Sequence, residues 1–197
     1  MEHYYSEKQT SNLRITEIEP NLRGNLIKLK TGSGVFSIGK IDKGTKLLIE
    51  TCIIEQDWKI LDLGCGYGPI GISLAKAFPQ SEVLMTDINE RAVRLSRDNI
   101  ELNSIKNASA KKSNLYEKIE GKFNTIITNP PQFAGRDICY EMIEKAKDHL
   151  EKDGLLQLVA RHNKGGKQLE KKMNEVFGNV MDIAKKSGYR VYVSRLL

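Results

Sequence analysis

Between residues 60 and 71 the chain reads Ile-Leu-Asp-Leu-Gly-Cys-Gly-Tyr-Gly-Pro-Ile-Gly. An apolar run ends in a loop with glycine at 64, 66 and 68. It then opens into apolar sequence that begins with a proline and reads as a helix. Glycine suits backbone that turns through positive φ or comes close to a ligand. Strand, glycine loop and helix in that order make the first turn of a parallel α/β sheet. Such sheets bind ligands at the carboxyl ends of their strands.

The sequence downstream keeps that alternation. Strands are expected at 59–63, 82–86, 108–112, 124–128 and 155–160. Helices are expected at 90–102, capped by Asn89, and at 137–150, where Ile138, Met142, Ala146 and Leu150 recur at helical spacing. The end differs, because 180–184 and 189–193 read as a β-hairpin around Lys185-Lys186-Ser187-Gly188. Upstream, residues 1–25 are polar and irregular. Residues 26–30 and 35–38 read as two short strands around Thr31-Gly32-Ser33-Gly34, and a helix runs from about Lys43 to Glu50, entered at Asp42. The predicted class is a doubly wound α/β domain with a mostly parallel sheet. At 197 residues it is one domain, with a short N-terminal β extension over 1–50 and the main body over 51–197.

Composition excludes several classes. With 40% hydrophobic residues the chain has material for a core and is not disordered as a whole. Cys52, Cys65 and Cys139 are far apart, with no CxxC pair and no His at ligand spacing. Neither a disulfide framework nor a zinc site is expected, and no metal. The start is polar and no apolar run is long enough to span a bilayer. We therefore expect no signal peptide, no membrane association and a reducing, cytoplasmic setting. The net charge of +6 is compatible with a polyanionic partner such as RNA or DNA.

Two cofactor classes use a loop of this kind. Gly66, Gly68 and Gly71 match the GxGxxG fingerprint of dinucleotide sites. Asp62, Gly64, Gly66 and Gly68 match a DxGxGxG pattern instead, which resembles motif I of class I methyltransferases. Asp62 separates them: a carboxylate beside a pyrophosphate is repelled. Beside S-adenosylmethionine, which carries an ammonium and a sulfonium and no phosphate, it is favourable. Asp87 ends the next strand, in Thr86-Asp87-Ile88-Asn89, where an acid can accept the ribose hydroxyls of either cofactor. Further on, Phe123–Thr128 is a strand that stops at Asn129-Pro130-Pro131. Proline ends the ladder and holds the chain extended, leaving the Asn129 side chain and the Pro130 carbonyl available to a ligand.

The loop at 62–68 resembles motif I of class I methyltransferases, and Asn129-Pro130-Pro131 resembles motif IV of those acting on planar nitrogen. The latter include adenine-N6, guanine-N2 and protein glutamine enzymes. Further matches are Gly34–Ser37, Asp42–Thr45, Ser113–Glu117, Gly135 and Phe177-Gly178. Over its whole length the chain is similar to the small-domain (MTS-type) methyltransferases, and within them to ribosomal RNA guanine-N2 enzymes and their single-domain archaeal relatives.

The resemblance implies a seven-stranded sheet in the order 3-2-1-4-5-7-6 with the last strand antiparallel, and a catalytic domain over 51–197. It implies S-adenosylmethionine held by Asp62, Gly64, Cys65, Gly66, Gly68, Asp87, Ile88, Asn114, Leu115 and Asn129. Asn114 takes the motif III place beside the adenine. Asn129, Pro130 and Pro131 are the catalytic set, with Asn129 Oδ1 and the Pro130 carbonyl accepting the hydrogens of the target amino group. For substrate contact it points to Phe36, Gln132 and Phe133, and the basic stretch from Arg161 through Lys167, with Arg161 and Lys164 foremost, offers phosphate contacts or a solvated loop. Nucleic-acid enzymes often carry an aromatic directly after the second proline. Gln132 stands there and Phe133 follows, so the stacking residue stays open, as does Phe36 between a place over the site and an ordinary core one.

The leading expectation is guanine-N2 methylation of ribosomal RNA, with a homodimer as one way to enlarge the RNA platform. Adenine-N6 or glutamine-N5 methylation, an NAD-dependent enzyme, and a non-catalytic nucleic-acid-binding protein with a vestigial pocket are the alternatives.

Overall fold

The computed structural model describes residues 7, 9, 12–131 and 135–197. In chain order the N-terminal part holds β1 (Ile15–Ile18), β2 (Asn21–Leu22), β3 (Asn25–Leu26), β4 (Leu29–Gly32) and α1 (Lys43–Thr51). The alternating part follows with β5 (Lys59–Leu63), α2 (Pro69–Ala77), β6 (Glu82–Asp87), α3 (Glu90–Leu102), β7 (Ala108–Lys112) and β8 (Phe123–Thr128). It closes with α4 (Arg136–Ala146), β9 (Leu150–Arg161), α5 (Lys167–Phe177), β10 (Met181–Lys186) and β11 (Tyr189–Arg195).

Strands β5 to β11 form one sheet in the order β10-β11-β9-β8-β5-β6-β7. Counted from β5, this is the expected 3-2-1-4-5-7-6. The pairs from β7 across to β9 are parallel, and β11 runs antiparallel to both β9 and β10. Helices cover both faces, so the central strands are apolar on both sides. Ile60, Met85, Ile127, Val159 and Val191 pack against α1, α2, α3 and the N-terminal strands. Leu61, Ile126, Leu156, Leu158 and Tyr192 pack against α4 and α5. Among the described residues, no helix is long and apolar enough to cross a membrane.

Four expectations are corrected. Residues 15–25 are not irregular, and the strand expected at 26–30 is divided between β3 and β4: β1 pairs antiparallel with β4, and β2 and β3 form a small hairpin whose turn residues Arg23 and Gly24 have φ of 48° and 75°. That is a two-residue turn of the kind that matches strand twist. Residues 35–38 are not a strand. Gly34, Ser37 and Gly39 have φ of 78°, 59° and 70°, so the chain curls through this segment, and β4 finds its partner in β1 instead. At the C-terminus Lys185 and Lys186 belong to β10, and the turn is Ser187-Gly188, both at positive φ.

Candidate active site

In the sheet the strand order reverses between β5 and β8, the topological switch point where such folds place their ligands. A cavity of about 580 Å³ lies there, walled by the segments that follow β5, β6, β7, β8 and β9 and by the 35–37 loop.

The glycine loop forms the floor. The Gly64 and Cys65 amides donate to Thr86 O (2.8 and 2.9 Å), which ties the loop to the end of β6. Gly64, Gly66 and Gly68 all have positive φ, and Gly68 at 89° is the left-handed residue that lets α2 start at Pro69. Gly71 serves a different purpose: a Cβ there would meet Met85 Cγ at 2.4 Å and Sδ at 2.5 Å, so glycine is what allows α2 to pack on β6.

Two carboxylates support the loop. Asp87 Oδ2 accepts from the Gly66 amide (2.8 Å) and Oδ1 from the Asn89 amide (2.9 Å). Burial raises its pKa above the ordinary carboxylate value, against the lowering effect of the Asn89, Gly66 and Ile88 backbone groups. Asp62 is completely buried; Oδ2 accepts from the Gly71 amide (2.9 Å) and Oδ1 has no partner. Burial pushes its carboxyl up to about 7, and the nearby Asp87 charge adds to the rise.

The expected residues sort cleanly by place. Phe36, Gly64, Cys65, Gly66, Asp87, Ile88, Asn114, Leu115, Asn129, Pro130, Pro131, Arg161 and Lys164 all line the cavity. Asp62 and Gly68 do not: they stand behind the loop and shape it. Gln132 and Phe133 lie outside the described residues. Phe36 is 37% exposed, so it is a wall of the cavity and not a core aromatic. Asn114 donates through Nδ2 to Glu117 Oε1 (2.7 Å), which leaves its amide oxygen as the end that can accept from a ligand. Leu115 has a φ of 46° in the bend that follows β7.

Several lining residues had no role assigned from the sequence. Asp42, Thr45 and Tyr189 share the cavity with Asn129, and Asn129 Nδ2 donates to Thr45 Oγ1 (2.9 Å). Asp42 stood out as the entry to a helix, as it is, and with Thr45 as part of a matching stretch, and nothing in the sequence marked Tyr189. Tyr67, Ile138 and Met142 add apolar surface. Arg161 donates from Nε to Tyr189 Oη (3.0 Å) with its guanidinium 5.0 Å from the Tyr189 ring centre. Among the described residues there is no group of three or more His, Cys, Asp or Glu able to hold a metal ion.

Known proteins share this architecture. The chain is 39% identical over 193 residues to the uncharacterized protein YbxB of Bacillus subtilis (strain 168), covering 96% of each. It is 37% identical over 174 residues to ribosomal RNA small subunit methyltransferase C of Hamiltonella defensa, covering 86% of this chain and 51% of that protein. The structure of the T. thermophilus 16S rRNA N2 G1207 methyltransferase (RsmC), in complex with AdoMet and guanosine, superposes with a TM-score of 0.79 at 25% identity. That match covers 95% of this chain and 51% of that one. The chain thus spans about half the length of the ribosomal RNA enzymes it matches. Residues 26–193 match the family model, and the cofactor of the fold is S-adenosylmethionine: the chain belongs to the methyltransferase small domain family.

Proposed function

We propose that this protein methylates an exocyclic amino nitrogen of a nucleic-acid base, most specifically guanine N2 in ribosomal RNA. The observation that carries the reading is the setting of Asn129. Its Nδ2 is engaged by Thr45, so Oδ1 is the end left to face the cavity at the close of β8. With the Pro130 carbonyl it makes a pair of acceptors for the two hydrogens of an amino group. Guanine N2, adenine N6 and an amide nitrogen all carry such a group. The methyltransferase C relatives and the guanosine held by the T. thermophilus enzyme favour guanine.

The residues on the cavity wall fit S-adenosylmethionine. Asp87 sits at the end of β6 with two carboxylate oxygens, which accept from backbone amides and have lone pairs for further donors. Its place suits ribose hydroxyls, and Asn114 Oδ1 suits an adenine amino group. The positive φ of Gly64 and Gly66 keeps backbone, and no side chain, against the ligand. S-adenosylmethionine supplies an electrophilic methyl on its sulfonium.

The protein's share of the chemistry is then alignment. Asn129 Oδ1 and the Pro130 carbonyl draw the amino hydrogens out of the base plane, which turns the nitrogen lone pair toward the methyl. Fixed dipoles of this kind lower the barrier without a strong general base. Phe36 offers an apolar face to the base, and Arg161 and Lys164 offer cations to the RNA backbone at the same cavity edge. The extension before residue 51 belongs to this working unit, because Asp42 and Thr45 reach Asn129.

Asn129→Ala tests the reading. S-adenosylmethionine affinity stays close to wild type by calorimetry, and methyl transfer falls by about a hundredfold or more. Near wild-type turnover in this variant contradicts the role of Asn129.

A further inference from the structure

We propose that Asp42, the N-cap of α1, and Thr45, in its first turn, are positioning residues that fix which end of the Asn129 amide faces the substrate. The inference rests on the reading of Asn129 given above and extends it to residues with no assigned role.

The two ends of an Asn side-chain amide are nearly equal in size, and only partners decide which end points where. Asn129 Nδ2 lies 2.9 Å from Thr45 Oγ1 and 3.5 Å from Asp42 Oδ2. The Thr45 hydroxyl both donates and accepts, so by itself it tolerates either end. The Asp42 carboxylate oxygens are acceptors in every contact they make. A reversed amide would set Oδ1 against that carboxylate and present an NH2 group to the substrate's own amino group, where no hydrogen bond forms. Thr45 therefore supplies the closer contact and Asp42 supplies the selection.

Asp42 is held by its own donors. Oδ2 accepts from the Gly44 amide (2.8 Å) and the Thr45 amide (3.1 Å) as the N-cap of α1. Oδ1 accepts from Tyr189 Oη (3.1 Å), which in turn accepts from Arg161 Nε. Gly44 is what lets the Tyr189 ring come so near: a Cβ at that position would meet ring carbons Cδ1 and Cε1 at 2.6 Å. One chain of contacts thus runs from Arg161 at the cavity edge, through Tyr189 and Asp42, to the Asn129 amide.

A spectroscopic and a kinetic readout on the full chain test this together. The Asn129 side-chain amide is assigned in a nitrogen–proton correlation spectrum by its loss in Asn129→Ala. In the wild type its protons lie downfield of a solvated Asn amide and exchange slowly. In Thr45→Val, which keeps the side-chain shape, and in Asp42→Asn, which keeps an oxygen for the α1 cap, they return toward the solvated position.

Methyl transfer to small ribosomal subunits from cells lacking the gene then slows in kcat by about tenfold or more in both variants. S-adenosylmethionine affinity stays within about twofold, and Thr45→Ser restores the rate. Adding Thr45→Val to Asn129→Ala slows that variant no further, whereas a merely structural defect would.

A wild-type amide signal at the solvated position overturns the proposal. So does full kcat in both variants while Asn129→Ala is slow. Full kcat in Asn129→Ala overturns the role of Asn129 itself and, with it, any positioning of it. If the wild type labels no small subunits, the substrate assignment fails and the amide signal alone decides the positioning.

Discussion

Gly66 and Asp87 are joined across two neighbouring strands: the amide in the glycine loop after β5 donates to the carboxylate that ends β6, at 2.8 Å. The other carboxylate oxygen caps the turn into α3 through the Asn89 amide. One half-buried acid therefore sets both the loop and the start of the next helix, and its carboxylate lines the cavity between them.

Asp87→Ala removes these acceptors and the group proposed to meet the ribose. S-adenosylmethionine affinity, measured by calorimetry, falls between about tenfold and a hundredfold, the range for a lost hydrogen bond to a charged group. Unchanged affinity takes Asp87 out of the site.

Asp62 predicts a pH dependence of stability. Its carboxyl is pushed up to about 7 in the folded protein from an ordinary 3.8, chiefly by burial. Between those values the native state holds a proton that the unfolded chain has released. The stability it contributes is complete at low pH, below the unfolded value, and is lost as pH rises through about 7. The melting temperature of the ligand-free protein therefore drops more steeply between pH 5 and pH 8 in the wild type than in Asp62→Asn, which cannot ionise. Equal slopes in the two proteins contradict the account.

Asn99 ties the N-terminal strand β4 to α3 and to the glycine loop. It is fully buried on α3, accepts from the Lys30 amide (2.7 Å) and donates to Lys30 O and Tyr67 O (both 2.9 Å). Asn99→Ala leaves buried backbone groups of β4 and of the glycine loop without partners. Denaturant unfolding shows a loss of about 2–4 kcal/mol. A loss below about 1 kcal/mol means that water replaces these bonds freely.

The sequence was most legible where structure is local. Residues 90–102 carry their own cap in Asn89 and their own apolar stripe, and α3 occupies that span. The strand–loop–helix at 59–77 was readable for the same reason, because Gly68 and Pro69 encode the turn in place. The N-terminal strands were not: β1 pairs with β4 across an intervening hairpin, and Thr16 and Thr31 give no sign of one another. Residues 35–38 have strand-like composition, yet the positive φ of Gly34, Ser37 and Gly39 turns them over the cavity, which periodicity does not report.

The site divides along the same line. Asp87 and Asn129 end strands and were visible as motifs. Tyr189 reaches Asp42 from 147 residues away, and no local pattern announces such a contact.

The most direct test of the central claim is transfer of labelled methyl from S-adenosylmethionine to small ribosomal subunits from cells lacking the gene, followed by mass spectrometry of the digested nucleosides. The account predicts label in N2-methylguanosine, absent from the same subunits incubated with Asn129→Ala. Label in N6-methyladenosine or in ribosomal protein, or no label from an enzyme that binds the cofactor, contradicts it.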